Sequence, residues 1–319
     1  MRIRLVFFLL SLTSLPLSAQ GFREWTLDEA LKDGRFSLYE GIYHDVNPDY
    51  ATWSLSEPVK MDDSYLKITY CVDIIKDTIP KIYGKDRIVS LIGRRFYHSY
   101  GMYFYYQSMS NTRAVNYGDS VDNSTYSRPE GFNVLINWFV YRDLRNKTII
   151  NRHALPHIKH FAIEYTEKQP EFEWQLTDSS KTILGYECQK AITNYRGREW
   201  IIWFTPEIPI NCGFWKFSGL PGLILEAYDT GFFYHFTAEG IENTSNPINI
   251  YNVPNTIKKL SRVNFRKMEK EVFAAPLYYD SIHKNGYQIG DFIGGDISYA
   301  YTIFTADRYL VPYYPMELE

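Results

Sequence analysis

The chain contains 319 residues, and its 34 lysines and arginines against 37 aspartates and glutamates give a formal net charge of −3 at pH 7. Because the sequence has no basic excess and no basic stripe to hold phosphates, we predict no nucleic-acid partner. A chain of this length buries a sizeable core. Its aromatic content of 17% is typical of half-buried pleated surfaces.

The first twenty residues have the pattern of an export signal. Arg2 and Arg4 precede an apolar run that ends in the small-residue sequence Leu17-Ser18-Ala19, which fits a cleavage site. The run is about 13 residues long, whereas a membrane-spanning helix needs about 20. We therefore predict a signal peptide at 1–19 and one β-rich domain at 20–319. The domain is expected in the periplasm or in association with the outer membrane.

One short helix and several strands are predicted in the first part of the mature chain. The helix covers Trp25–Lys32, where Thr26 and Glu29 form a capping box. Strands are predicted at Ser64–Ile75 and Arg87–Ile92, since apolar residues alternate there with polar ones.

The stretch from Phe96 to Tyr106 is nearly all aromatic. Such a run fits either a buried strand or an aromatic binding wall, and its periodicity does not distinguish the two. The Ser, Asn, Asp, Gly and Pro residues that follow at 108–130 predict a long loop.

Several strands are predicted from Phe132 onward, and from Thr177 the pattern is a meander of short strands separated by turns roughly every 8–12 residues. The predicted strands are Phe132–Tyr141, His160–Tyr165, Phe172–Leu176, Ile183–Thr193, Trp200–Thr205 and Gly231–Glu239, with a turn at Asp178–Lys181. A second helix is predicted at Ser261–Phe273, capped by Ser261 and followed by Pro276. The fold class is therefore mainly β, an antiparallel meander forming a curved half-barrel or sandwich with one or two peripheral helices.

Pro221-Gly222 interrupts two apolar runs near the middle of this meander. Proline fixes φ at the first central position of a type II turn, and glycine accepts a positive φ at the second. We therefore predict a tight connection between two buried strands at this point.

The sequence around that turn resembles the GLPGLI family of exported Bacteroidetes proteins, whose function is uncharacterised. The signature is Gly219, Leu220, Pro221, Gly222, Leu223 and Ile224. Five further segments resemble the family's pattern and follow its order: Trp174–Leu176, Gly185–Ala191, Arg196–Trp200, Trp203–Ile210 and Trp215–Phe217. The segment Tyr314–Leu318 is a weaker match. The family usually has Gly-Pro-Trp where this chain has Gly213-Phe214-Trp215. The resemblance implies export and assigns no activity.

Three cysteines are present, Cys71, Cys188 and Cys212. In an exported protein an odd number allows one bridge and leaves one thiol over. We predict a disulfide of Cys188 with Cys71 or with Cys212, against the alternative of three buried thiols. Zinc binding by these cysteines is not expected, because no C-x-x-C pair is present.

Five aromatic residues near the signature are the candidate ligand-binding set: Tyr186, Trp200, Trp203, Trp215 and Phe217. Together they would line an apolar cleft that admits a lipid, a peptide or a glycan. Ordinary core packing is the alternative explanation of the same residues.

Three carboxylates lie near the signature: Glu207, Glu226 and Asp229. They are candidate catalytic residues of a hydrolase, because glycoside hydrolysis needs a pair of carboxyl groups. Glu226 and Asp229 are three positions apart, so on a strand they would face opposite sides. We therefore assign no catalytic residue.

His153, His157 and His160 have the composition of a metal site. Pro156 breaks the helix that would align them, and the segment is predicted to be a surface loop. We expect neither a metal nor a cofactor.

The sequence leaves three functional hypotheses. The first is a non-enzymatic envelope protein that binds an apolar ligand, a peptide, or an outer-membrane or periplasmic protein. The second is a secreted hydrolase that uses carboxylates near the signature turn. The third is a structural component of surface machinery.

Overall fold

The computed structural model describes residues 5–7, 23–25, 55, 58–78, 81–117, 135–155, 162–251, 257–274 and 315–318. The chain divides into two compact units, one of residues 1–46 with 277–310 and the other of 47–276 with 311–319. In the first unit, strand β1 (Leu5–Phe7) pairs antiparallel with β2 (Arg23–Trp25). Trp25, predicted to begin a helix, therefore lies in a strand. The rest of that helix and the cleavage site lie outside the described residues, and the single domain at 20–319 stays a prediction.

In its described residues the second unit contains one open 13-stranded sheet and two helices. The strands are β3 (Pro58–Thr78), β4 (Lys81–Gly93), β5 (Phe96–Gly101), β6 (Trp138–Asp143), β7 (Thr148–His153), β8 (Ala162–Lys168), β9 (Gln175–Ile183), β10 (Tyr186–Tyr195), β11 (Arg198–Thr205), β12 (Leu223–Asp229), β13 (Tyr234–Asn243), β14 (Pro247–Tyr251) and β15 (Ile257–Lys259). The helices are α1 (Met102–Tyr117) and α2 (Arg262–Ala274). The prediction of a mainly β, antiparallel meander with one or two helices is confirmed.

The strand order is β15-β8-β7-β6-β5-β4-β3-β13-β12-β11-β10-β9, and β14 pairs with the first part of β3. Only β15 and β8 are parallel among the described pairs. Ten gaps separate β8 from β9 in this order, or roughly 48 Å in a flat sheet. The connection between these two strands, residues 169–174, spans at most about 25 Å. The sheet must therefore curl, and we call its concave side the inner face.

Two of the two-residue hairpins of the sheet contain a glycine. Leu184-Gly185 joins β9 to β10 with φ values of 51° and 85°, and Arg196-Gly197 joins β10 to β11 with 46° and 81°. Two central residues with positive φ define a type I′ turn, which matches the twist of the strands it connects. The strand predicted at Ile183–Thr193 is thus interrupted at its second residue. The turn predicted at Asp178–Lys181 lies inside β9.

The aromatic stretch divides between two elements. Its first half is β5, and the rest begins α1, which extends into the segment predicted as a loop at 108–130. A Cβ on Gly101, at the junction, would lie 1.9 Å from the carbonyl oxygen of Ile136. Phe104 is fully buried, with its ring centroid 5.6 Å from that of Phe139. Burial of these rings stabilises a helix in a segment whose residue types predict a loop.

The two faces of the sheet carry different cores. On the inner face, β3, β11 and β13 contribute fully buried Tyr70, Trp200 and Phe236. On the outer face, α1 covers a second cluster that includes Phe139 and Tyr141 of β6. Among the described residues, no helix has the length and apolar character needed to cross a membrane.

Candidate binding site

The first four signature residues, 219–222, end a long loop, 206–222, that connects the paired strands β11 and β12, and Leu223 and Ile224 begin β12. The prediction of a tight type II turn at Pro221-Gly222 is wrong, because such a turn needs a positive φ at its glycine and Gly222 does not have one. A Cβ on Gly222 would lie 2.1 Å from the carbonyl oxygen of Thr205, so this glycine is required by a close backbone approach. Gly219 has a φ of 98°, and its neighbour Ser218 accepts a hydrogen bond from Trp174 Nε1 at 3.0 Å.

The loop 206–222 fills the concavity of the sheet. The ring of Phe214 stacks on Phe236 with a centroid distance of 4.0 Å and meets the edge of Tyr70 at 5.1 Å. Arg142 of β6 donates to the carbonyl oxygen of Phe217 at 3.1 Å. The loop therefore holds the two halves of the curled sheet together from inside.

The five aromatic residues predicted to line one cleft belong to one hydrophobic cluster, with Tyr186 packed against it. Trp200, Trp215 and Phe217 pack against one another with centroid distances of 5.1–6.4 Å and are at most 3% exposed. Trp203 alternates with Trp200 along β11 and points to the outer face. Tyr186 is half-buried at the start of β10. The inner three are packed as core residues, and ligand binding by the five stays a prediction.

The predicted disulfide is not formed, and all three cysteines are free thiols. Cys71 on β3 and Cys188 on β10 are separated by three intervening strands, or about 19 Å along the sheet. Cys212 lies in the loop on the inner face, where its Sγ is 3.7 Å from Arg142 Nη1. Burial raises the pKa of both the Cys71 and the Cys188 thiol to about 11.

A cluster of polar side chains lies on the outer face, around Glu226 of β12. His235 Nε2 lies 2.8 Å from Glu226 Oε1, and Lys181 of β9 donates to Glu226 Oε2. The Lys181 ammonium also lies 4.3 Å from the centroid of the Trp203 ring. Burial opposes ionisation of Glu226, but His235 and Lys181 outweigh it and lower the pKa of this carboxyl.

Two aromatic rings extend this cluster towards solvent. Tyr228 and Phe232 are stacked with a centroid distance of 5.1 Å, and the ring of His235 lies 5.4 Å from Tyr228. Phe232 is 47% exposed and has a φ of 54°, which is uncommon for a bulky residue and costs backbone energy. We call the following set the outer-face site: Lys181, Trp203, Glu226, Tyr228, Phe232 and His235.

Sequence reasoning named Trp203 and Glu226 but missed the other four members of the outer-face site. The register of β11, β12 and β13 aligns Trp203 with Glu226 and Tyr228 with His235. That alignment depends on which strands become neighbours, and a pattern within one strand carries no such information.

The three carboxylates of the hydrolase hypothesis occupy separate places. Glu226 and Asp229 face opposite sides of β12, as their spacing predicts. Asp229 accepts hydrogen bonds from Arg198 Nη1 and from the backbone amide of Tyr234, each at 2.8 Å. Glu207 accepts one from the backbone amide of Glu187 at 2.7 Å.

The histidine segment also differs from its prediction. His153 lies in strand β7, packed against the rings of Tyr165 and Phe265, rather than in a surface loop. Burial, with Lys216 nearby, lowers the pKa of His153 to about 3. His157 and His160 lie outside the described residues. The part of the chain that is described contains no group of three metal-ligating side chains.

Residues 139–267 match the family described as "N-glycanase peptide, N-terminal domain". Two solved structures, both of PNGF-II in different space groups, have 14% and 13% sequence identity and TM-scores of 0.44 and 0.41. Each comparison covers 65% of this chain and 33% of the PNGF-II chain, so the protein spans about a third of those structures. No curated protein matches. The chain is thus a mainly β protein with a region similar to an N-glycanase N-terminal domain.

Proposed function

We propose that the protein is exported to the cell envelope, in the periplasm or at the outer membrane, and binds a glycosylated peptide there without converting it. The signal-like first twenty residues and the GLPGLI signature, which we propose as its family membership, support export. The similarity to an N-glycanase N-terminal domain supports the choice of ligand.

The observation that carries this proposal is the composition of the outer-face site. The half-buried ring of Tyr228 and the exposed ring of Phe232 offer flat apolar surfaces to a sugar face or a peptide side chain. Glu226 and His235, next to them, supply an acceptor and a titratable donor for hydrogen bonds. A bulky residue held in a strained, exposed conformation, as Phe232 is, is typical of a functional site.

The alternative is a secreted hydrolase, which the name of the matched family favours. Glycoside hydrolysis needs two carboxyl groups flanking one bond. Because Glu226 and Asp229 lie on opposite faces of β12, they do not supply such a pair, and the geometry favours binding.

The test is calorimetric titration of the purified chain with three probes: an N-glycosylated peptide, the same peptide without its glycan, and the free glycan. We expect the glycosylated peptide to bind. Tyr228→Ala with Phe232→Ala should weaken its binding at least about tenfold, because buried aromatic contacts dominate such interfaces. The matched control is Tyr65→Ala, an exposed tyrosine near the start of β3 that should leave affinity unchanged.

Three results would contradict the proposal. Binding of none of the probes, or equal binding by the double variant, would remove the outer-face site from consideration. Release of glycan or cleaved peptide, detected by mass spectrometry, would establish the hydrolase alternative. Glu226→Gln would then show whether that carboxylate takes part.

A further inference from the structure

A buried group of basic side chains receives the carboxylate of Glu317 near the end of the chain. Lys216 Nζ lies 2.5 Å, Arg196 Nη1 2.6 Å and Arg262 Nη2 2.7 Å from oxygens of this carboxylate, whose side chain is 5% exposed. Lys216 itself is fully buried. We call Pro315–Leu318 the tail, and we call the group that surrounds it the socket: Arg196, Arg198, Lys216, Arg262 and Arg266.

The socket also binds the backbone of the tail. Arg198 donates to the carbonyl oxygen of Pro315 at 2.8 and 3.0 Å, and Arg266 donates to that of Glu317. The amide of Leu318 donates to the carbonyl oxygen of Arg196 at 2.8 Å. Backbone hydrogen bonds combined with one specific side-chain position are the means by which proteins recognise extended peptides.

The basic residues of the socket have partners other than the tail. Lys216 is held by Tyr165 OH at 3.1 Å and by Glu167 Oε1 at 2.5 Å. Arg196 pairs with Glu167, Arg198 with Asp229, and Arg266 with Glu269. These partners position the socket without help from the tail, and preorganisation of this kind favours binding.

Charge and shape also fit an acidic peptide. The carboxylate of Glu317 contacts three of the five cations of the socket, so an acidic side chain fits this position. A Cβ on Gly197 would lie 2.8 Å from Leu318 Cβ, so the turn fits closely against the residue after the glutamate. The whole socket lies within residues 139–267, the region that matches the family, whereas the tail lies outside it.

We infer that the socket is a recognition site for an extended acidic peptide, with a glutamate between two apolar residues, and that the chain's own tail is its ligand in cis. A peptide of the same chemistry occupies the socket in trans when the tail is released. This inference is independent of the outer-face site, so either can fail alone.

The test uses the full chain carrying Glu317→Ala and a fluorescent peptide of residues 314–319. We expect the variant to bind the peptide, measured by anisotropy. The wild-type chain should bind it far more weakly, because its own tail is present at an effective concentration in the millimolar range. Replacing the glutamate of the peptide by glutamine, or adding Arg196→Ala to the variant, should each weaken binding about tenfold, since charge-assisted hydrogen bonds are lost. Binding that ignores both changes, or no binding by a folded variant, would overturn the inference.

A second arrangement decides the question if Glu317→Ala prevents folding. A protease site is placed between Leu310 and Val311, at the boundary of the two units, and the folded wild-type chain is cut there. Exchange of the cut tail for the fluorescent peptide, seen by gel filtration, supports the inference. A tail that stays bound without exchanging, or loss of fold on cutting, shows a purely structural tail and overturns it.

Discussion

At the scale of single residues, the two glycines of the signature are required for different physical reasons. Gly219 occupies a left-handed conformation, whereas Gly222 lies against the Thr205 carbonyl. A glycine followed by an apolar residue looks the same in sequence in both cases. The sequence therefore indicates that each position needs a glycine. Whether the cause is a left-handed conformation or a close contact depends on the neighbouring strand.

Gly222→Ala should lower the free energy of unfolding by about 1–3 kcal/mol, because the added methyl overlaps the Thr205 carbonyl and displaces a strand. The measurement is urea unfolding followed by circular dichroism. Gly240→Ala is the control, since nothing lies within 4 Å of a Cβ at that position. Its stability should stay within about 0.5 kcal/mol of wild type. Equal effects of the two substitutions would contradict the close approach.

The ionisation of Glu317 makes the folding stability depend on pH. Burial opposes its ionisation, but Lys216 and Arg196 outweigh burial and lower its pKa from 4.5 to about 2. The stabilisation from a carboxyl with a depressed pKa is complete above the unfolded pKa and is lost as pH falls through the folded one. Stability should therefore drop between about pH 4.5 and pH 2.

Glu317→Gln should flatten that drop and cost about 3–5 kcal/mol at neutral pH, because buried cations lose their partner. Thermal unfolding at a series of pH values measures both effects. Exposed Glu173→Gln is the matched control and should keep the wild-type profile. A profile of Glu317→Gln that is parallel to wild type would exclude this carboxyl as the source.

At the scale of elements, the loop 206–222 acts as part of the core. Phe214→Ala should cost about 3–5 kcal/mol, as expected for a large buried aromatic side chain that leaves a cavity. Phe232→Ala removes the same atoms from a residue that is 47% exposed and should cost less than about 1 kcal/mol. Chemical denaturation of both variants measures the difference. Similar costs would mean that the loop packs loosely on the inner face.

Some elements follow from local sequence and others do not. The turn at Arg196-Gly197 follows from local sequence, because a glycine in a two-residue connection is a local signal. The polar run Asp178–Lys181 has the pattern of a turn and yet lies in β9. Helix α1 has no such signal, because its aromatic and polar residues favour a strand followed by a loop. It forms because Phe104 is buried against Phe139 on a neighbouring strand. Packing between distant segments is what single-sequence patterns lack.

At the scale of the whole molecule, the fold needs no covalent cross-link between the described cysteines. Alkylation in denaturant without reductant should modify Cys71, Cys188 and Cys212, and reductant should leave the melting temperature unchanged. In the folded chain Cys188 and Cys212 should react slowly, since they are at most 2% exposed. Mass spectrometry counts the added groups. Only one modified cysteine per denatured chain would restore the disulfide prediction.

The sequence predicts the mainly β class of the molecule but does not predict the candidate site. Alternation of apolar and polar residues specifies strands, and short turns specify antiparallel neighbours. The outer-face site instead needs β9, β12 and β13 in one register, so that Lys181 reaches Glu226 and His235. That register is set by the whole sheet.

Strand β3 has a consequence for synthesis of the protein. Its partner β4 follows directly in the chain, but its other partner, β13, begins at Tyr234. While the chain is synthesised, the edge from Leu66 to Ile74 has no complement until β13 has been made. An open strand edge of this kind recruits wrong partners. Wrong pairing at this edge is therefore open to the nascent chain until β13 is complete, about 160 residues after β3.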